Sequence, residues 1–139
     1  MTSIPTRSGR SLLDRLSPDD RDRLRPGLQL VTLQQDQVLY QAGEAVSSVF
    51  FPVTAWIEEV LPQQDGEAQV LRRIDGQSMA GACVLGDAVS TRTARVCGQG
   101  QAYRMGYADF ARALDEVQGF RELVMQDAAA AVLATHRPR

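Results

Sequence analysis

Glu58 and Glu59 stand side by side in an apolar run, Trp56 to Leu61, that reads as a strand. Successive side chains of a strand point to opposite faces, so these two carboxylates cannot share acid–base work on one face. The basic side chains are uniform: all 15 are Arg and none is Lys. That excludes Schiff-base chemistry and Walker-type phosphate loops, both of which need a lysine. One histidine, His136, and two cysteines, Cys83 and Cys97, are too few for zinc, haem or iron–sulfur ligation. The same count argues against a metal-dependent, cupin-like barrel enzyme, which usually needs two or three histidines with a carboxylate. The segment Gly98-Gln99-Gly100 is too short for a phosphate loop and reads as a hairpin turn. Cys83 and Cys97 form no disulfide framework and read as small, half-buried hydrophobes in a reducing compartment. A redox thiol would need exposure and a low pKa, and only Arg92 and Arg95 lie between the two in sequence to supply positive charge. No residue set here points to catalysis, and no cofactor is required.

Composition narrows the class further. The 139 residues suit one domain, and 44% apolar with 23% charged residues excludes disorder over the whole length. A net charge of −2 leaves no basic footprint for nucleic acid. No apolar run approaches the roughly 20 residues of a membrane span, and the first residues lack a signal peptide's apolar block. The cytoplasm is the expected location, with no membrane partner.

The elements that must position any site follow from periodicity. Residues 1–10 read as a flexible arm, and residues 11–139 as a single domain. Ser11 and Ser17 are expected to cap two short helices, the second with Pro18 at its first position and an end near Pro26-Gly27. From about residue 28 to 106 the period is that of short strands with frequent turns, including Gln63-Gln64-Asp65-Gly66 and Asp75-Gly76. Helical periodicity returns at about 107 and runs to 136, with Phe110, Ala113, Leu114 and Val117 on one face of the first helix. In the last helix Phe120, Leu123, Val124, Ala128, Ala131 and Val132 form a stripe at i, i+3, i+4 spacing. The fold class is mainly β with flanking α-helices, a β-roll or barrel.

Taken in order, these pieces resemble the cyclic-nucleotide-binding domain at the N-terminus of Crp/Fnr-type bacterial transcription regulators. The resemblance is carried by LLDRLSPDD at Leu12 to Asp20, QVLYQAGE at Gln37 to Glu44, Val49-Phe50-Phe51-Pro52, the stretch Gly76 to Val96, and Tyr107 with Phe110. It covers about residues 11–136 and implies a jelly-roll-like β-roll, a double-stranded β-helix. It also implies a phosphate-binding cassette: a short helix and turn beginning Gly-Glu, then Arg-(Ser/Thr)-Ala-x-Val about ten residues on. Such a cassette would hold a cyclic phosphate on backbone N–H groups and a bidentate arginine. Arg92-Thr93-Ala94-Arg95-Val96 fits its second half, and Gly81 falls at the glycine position. The glutamate position, which would accept from a ribose hydroxyl, is Ala82, or Gly81 if the register shifts by one; neither is a carboxylate, and the next acidic residue is Asp87. A charge-assisted bond of that kind is worth about 1.5–3 kcal/mol, so a nucleotide is expected to bind weakly or not at all.

The resemblance thus makes Gly81, Ala82, Cys83, Arg92 and Thr93 the candidate ligand site, with Thr135 and His136 as base-side contacts. Arg92 has a second reading, a structural arginine paired to Asp87 or solvated. The expected function is a non-enzymatic sensor that binds a small anionic effector, a cyclic nucleotide such as cAMP or cGMP, and signals through its last helix. That helix is expected to form a homodimer through Phe120, Leu123, Val124, Ala128, Ala131 and Val132. The chain stops at Arg139, before a helix-turn-helix could fit, so no DNA-binding domain and no DNA binding by this chain alone is expected. The alternative is a dimerisation or protein-interaction module with a degenerate pocket.

Overall fold

Two serine caps start the chain's folded part. In the computed structural model, which describes residues 11–62, 66, 68–81 and 92–135, Ser11 closes a capping box on a 3-10 turn at Leu12–Arg15. Ser17 accepts from the Asp20 amide at the start of α1 (Pro18–Leu24), with Pro18 in the first turn as its sequence predicts. Leu12, Leu13, Leu16 and Leu24 bury themselves under the roll, which is why this polar segment docks at all.

Seven strands among the described residues then make two antiparallel sheets. They are β1 (Leu28–Leu33), β2 (Val38–Tyr40), β3 (Ser48–Pro52), β4 (Trp56–Pro62), β5 (Ala68–Ile74), β6 (Thr93–Gly98) and β7 (Gly100–Gly106). One sheet has the order β1-β7-β3 and the other β2-β6-β4-β5. Phe51, Ile57, Ile74, Met79, Val96 and Met105 fill the space between them. This is the jelly-roll-like β-roll the strand pattern implies. Gly98 ends β6 and Gly100 begins β7, and these strands lie in different sheets, so the short glycine segment crosses between the sheets and is not the hairpin turn its sequence suggests.

Two helices follow, α2 (Tyr107–Glu116) and α3 (Gln118–Thr135). Phe110 and Ala113 seat α2 on the core. Phe120 is fully buried, edge-on to Phe110 at 5.8 Å and tilted against Phe51 at 6.1 Å. Leu123 and Val124 are buried beside it. Here the structure corrects the expected dimer seam: Phe120, Leu123 and Val124 face the chain's own roll, because an amphipathic helix turns its most apolar stripe to the nearest core. Ala128 and Ala131 are half-buried, and the side chain of Val132 lies outside the described residues. The outward face of α3 carries Met125, 54% exposed, with exposed Ala129 and Ala130. No helix among the described residues is long and apolar enough to cross a membrane.

Candidate functional site

One row of residues crosses the larger sheet. Tyr40 on β2 pairs with Ala94 on β6, Ala94 with Glu59 on β4, and Glu59 with Arg72 on β5. Residues paired in this way carry their side chains on the same face. Ala94 has no bulk, so Tyr40 reaches across it and its hydroxyl donates to Glu59 Oε2 at 3.2 Å. Arg72 Nε donates to Glu59 Oε1 at 2.8 Å, and Arg92 Nη1 meets the same oxygen at 3.1 Å. The β4–β5 register slips just past this pair, between Glu59 and Val60, leaving Leu71 as an extra residue. Such a bulge bends the strand and re-aims its neighbours.

Glu59 is only 6% exposed, and the two arginines and the tyrosine keep its charge tolerable there. The adjacent Glu58, 7% exposed, points to the opposite face, where Arg95 Nε holds it at 2.8 Å and Arg73 lies at 4.0 Å. The two carboxylates therefore serve separate ion-pair sets, as strand alternation requires.

Arg72 connects this cluster to α3. Its remaining nitrogens donate to Ser78 Oγ and to the Met79 carbonyl, both at 3.3 Å. Ser78 in turn donates to Asp127 on α3, 2.8 Å from Oδ1 and 3.0 Å from Oδ2. A continuous polar path thus runs from Tyr40 and Glu59 through Arg72 and Ser78 to the last helix.

Burial pushes the Asp127 carboxyl above its ordinary value; the Ser78 hydrogen bond, the charge of Arg72, the Met79 backbone and Arg15 pull the other way and do not cancel it. A carboxyl raised on folding holds its proton more tightly in the folded state. Its stabilising contribution is complete below the ordinary value of 3.8 and is lost as pH rises through the raised one. In a urea-denaturation series across that window, wild type is expected to lose stability with rising pH relative to Asp127→Asn. A difference that stays flat with pH refutes this.

The sequence-predicted residues divide. Arg92 and Thr93 stand together at the start of β6, Arg92 paired to Glu59. Asp87, the partner considered from sequence, lies outside the described residues. The Thr93 hydroxyl accepts from the Ala42 amide at 3.0 Å and ties the β2–β3 connection to β6. Gly81 has φ +103°, and a Cβ there would sit 2.9 Å from Val49 Cγ1, so only glycine meets both demands. Ala82, Cys83 and His136 lie outside the described residues, and Thr135 closes α3. Cys97 is a half-buried free thiol whose pKa is pushed up by burial and then by Glu58, the opposite of a reactive cysteine. Among the described residues no group of three or more His, Cys, Asp or Glu could hold a metal.

Sequence reasoning missed Glu59, Arg72, Ser78, Asp127 and Tyr40 as site residues. Signals existed for two of them. Asp127 falls seven residues after Phe120, within the core-facing stripe. Arg72-Arg73 lies across the Gln63–Gly66 turn from Glu58-Glu59, so complementary charges face each other once the hairpin closes.

The sequence model of the cyclic nucleotide-binding domain matches residues 30–117, from β1 to the end of α2. The chain belongs to that family. Members of the cyclic nucleotide-binding domain family bind cyclic nucleotides as effectors. No curated protein matches this chain. Solved structures with the same fold include the N-terminal domain of a transcriptional regulator from Streptomyces coelicolor A3(2), 18% identical, covering 89% of this chain and 87% of its own, with a TM-score of 0.66. The sensor domain of the transcriptional regulator DNR from Pseudomonas aeruginosa is 14% identical, with 88% and 83% covered and a TM-score of 0.68. Thermus thermophilus catabolite activator protein is 14% identical at a TM-score of 0.67; 87% of this chain is covered but only 55% of that one. These neighbours, at 14–18% identity, share the fold of this chain.

Proposed function

We propose that this cyclic nucleotide-binding domain is a sensor that takes a small anionic effector, a cyclic nucleotide, at Arg92 and Thr93 inside the roll and reports its presence through α3. The observation that carries the reading is the unbroken path from Arg92 and Glu59 through Arg72 and Ser78 to Asp127. An anion arriving at Arg92 changes the charge that Glu59 and Arg72 experience, and Arg72 is hydrogen-bonded to the residue that holds the last helix. The glutamate expected of the cassette is absent, so affinity is weak by the loss of one charge-assisted bond. The module acts without catalysis, in the cytoplasm.

Calorimetry with cAMP and cGMP up to millimolar concentration tests this. Saturable binding by wild type that disappears in Arg92→Ala is the expected result; the absence of heat with either nucleotide overturns it.

A second reading is favoured by one observation: Arg92 already has an internal counter-ion in Glu59. On that reading the pocket is degenerate and the domain works as a homodimer. The seam would then lie on the outward face of α3 at Met125 and Ala129, with Ala128 and Ala131 at its edge. Sedimentation equilibrium showing a dimer unaffected by either nucleotide would favour this reading over the first.

A further inference from the structure

Two guanidinium groups and a phenol converge on one buried carboxylate. Arg72 and Arg92 meet a single oxygen of Glu59, and Tyr40 donates to the other. Donors gathered in this way from β2, β5 and the residue that precedes β6 form an anion clamp, because planar guanidiniums suit carboxylate and phosphate oxygens alike. We infer that Arg72 and Arg92 form an oxyanion site for a phosphate group, and that Glu59 is its built-in occupant, which an incoming phosphate must displace.

Three observations support this assignment. Arg72 is held from behind by Ser78 and the Met79 carbonyl, so its position does not depend on Glu59. Arg92 is the more open of the two, with 30% of its side chain exposed against 12% for Arg72, and therefore forms the entrance. Glu58 does not share the load, since Arg95 and Arg73 engage it on the other face. Glu59 is thus a specificity-determining residue. It sets how much anion affinity the arginines can express, and it admits a group with several oxygens more readily than a single-charge competitor. The inference deepens the effector reading above by naming Arg72 as a second phosphate ligand and Glu59 as the competitor.

The test uses inorganic phosphate as probe and thermal unfolding as readout. Glu59→Gln keeps the shape and removes the charge. It is expected to show saturable stabilisation by phosphate beyond that of chloride at equal ionic strength, with an apparent affinity about 10- to 100-fold tighter than wild type, the range of one charge-assisted bond. The gain should vanish in Glu59→Gln/Arg92→Ala. A folded Glu59→Gln that responds to phosphate no more than wild type overturns the inference. Glu59→Asp, which retains the charge but withdraws it by one methylene, keeps the test decisive if the glutamine variant does not fold. It should gain an intermediate phosphate response, and no gain overturns the inference equally. The two readings fail separately. A phosphate gain without nucleotide heat in any variant leaves the clamp standing and removes the nucleotide. Nucleotide binding by wild type that Glu59→Gln does not tighten removes the competitor role alone.

Discussion

Replacing Phe120 with alanine is expected to destabilise the domain by about 3–5 kcal/mol, the range for deleting a buried aromatic ring. The ring is fully buried and touches aromatic partners on both sides, Phe110 on α2 and Phe51 on β3. It pins the last helix to the roll, and neither partner can collapse into the space without leaving its own element. Urea denaturation measures the loss. The structural role also specifies how the loss behaves: it should not depend on protein concentration, because the contacts are made within one chain. A seam residue would instead make the unfolding midpoint vary with concentration. Unfolding of wild type and Phe120→Ala at two widely separated concentrations decides between them. A loss below about 1 kcal/mol, or one confined to low concentration, would contradict the core placement.

The second large effect is expected at Arg72. Removing one partner of a buried ion pair costs about 3–5 kcal/mol, because the remaining charge is left buried. Arg72→Ala deprives Glu59 of its closest partner and leaves the Met79 carbonyl and Ser78 each without a donor. Arg92 and Tyr40 remain on Glu59, which places the expected loss toward the lower end of that range. The charge argument makes a sharper demand than the magnitude. In the double variant Glu59→Leu/Arg72→Leu the buried carboxylate is gone, so stability should return toward wild type. Urea melts of the three proteins check this. A double variant as unstable as Arg72→Ala would mean that the arginine acts through packing and its Ser78 contact, not through Glu59.

Local chemistry was readable wherever a few neighbouring residues decide the outcome. Ser11, Ser17 and Pro18 mark helix starts through bonds that span two or three residues, and they do so in the structure. The strand-to-helix change at Tyr107 is a change of period and needs no tertiary knowledge. The family resemblance rested on several short pieces in order, and one of them, ending in Arg92 to Val96, stands at the start of β6 next to the site. The stripe on the last helix was also read correctly as apolar, but not what it faces. The spacing of apolar residues gives a direction around the helix axis and leaves open whether the core or a second copy lies there, and the roll was the nearer surface for Phe120.

What the sequence by itself determined is the inventory: no lysine, too few metal ligands, a cassette arginine and threonine without the expected glutamate, and elements in a family's order. Only the tertiary structure decided that Glu59 answers Arg92: it is 33 residues away along the chain and becomes a neighbour because β4 pairs with β6. Ser78 and Asp127, 49 residues apart, meet only once α3 lies on the roll. Long-range partners of this kind are set by strand register and helix docking, which arise from burying the whole apolar surface at once.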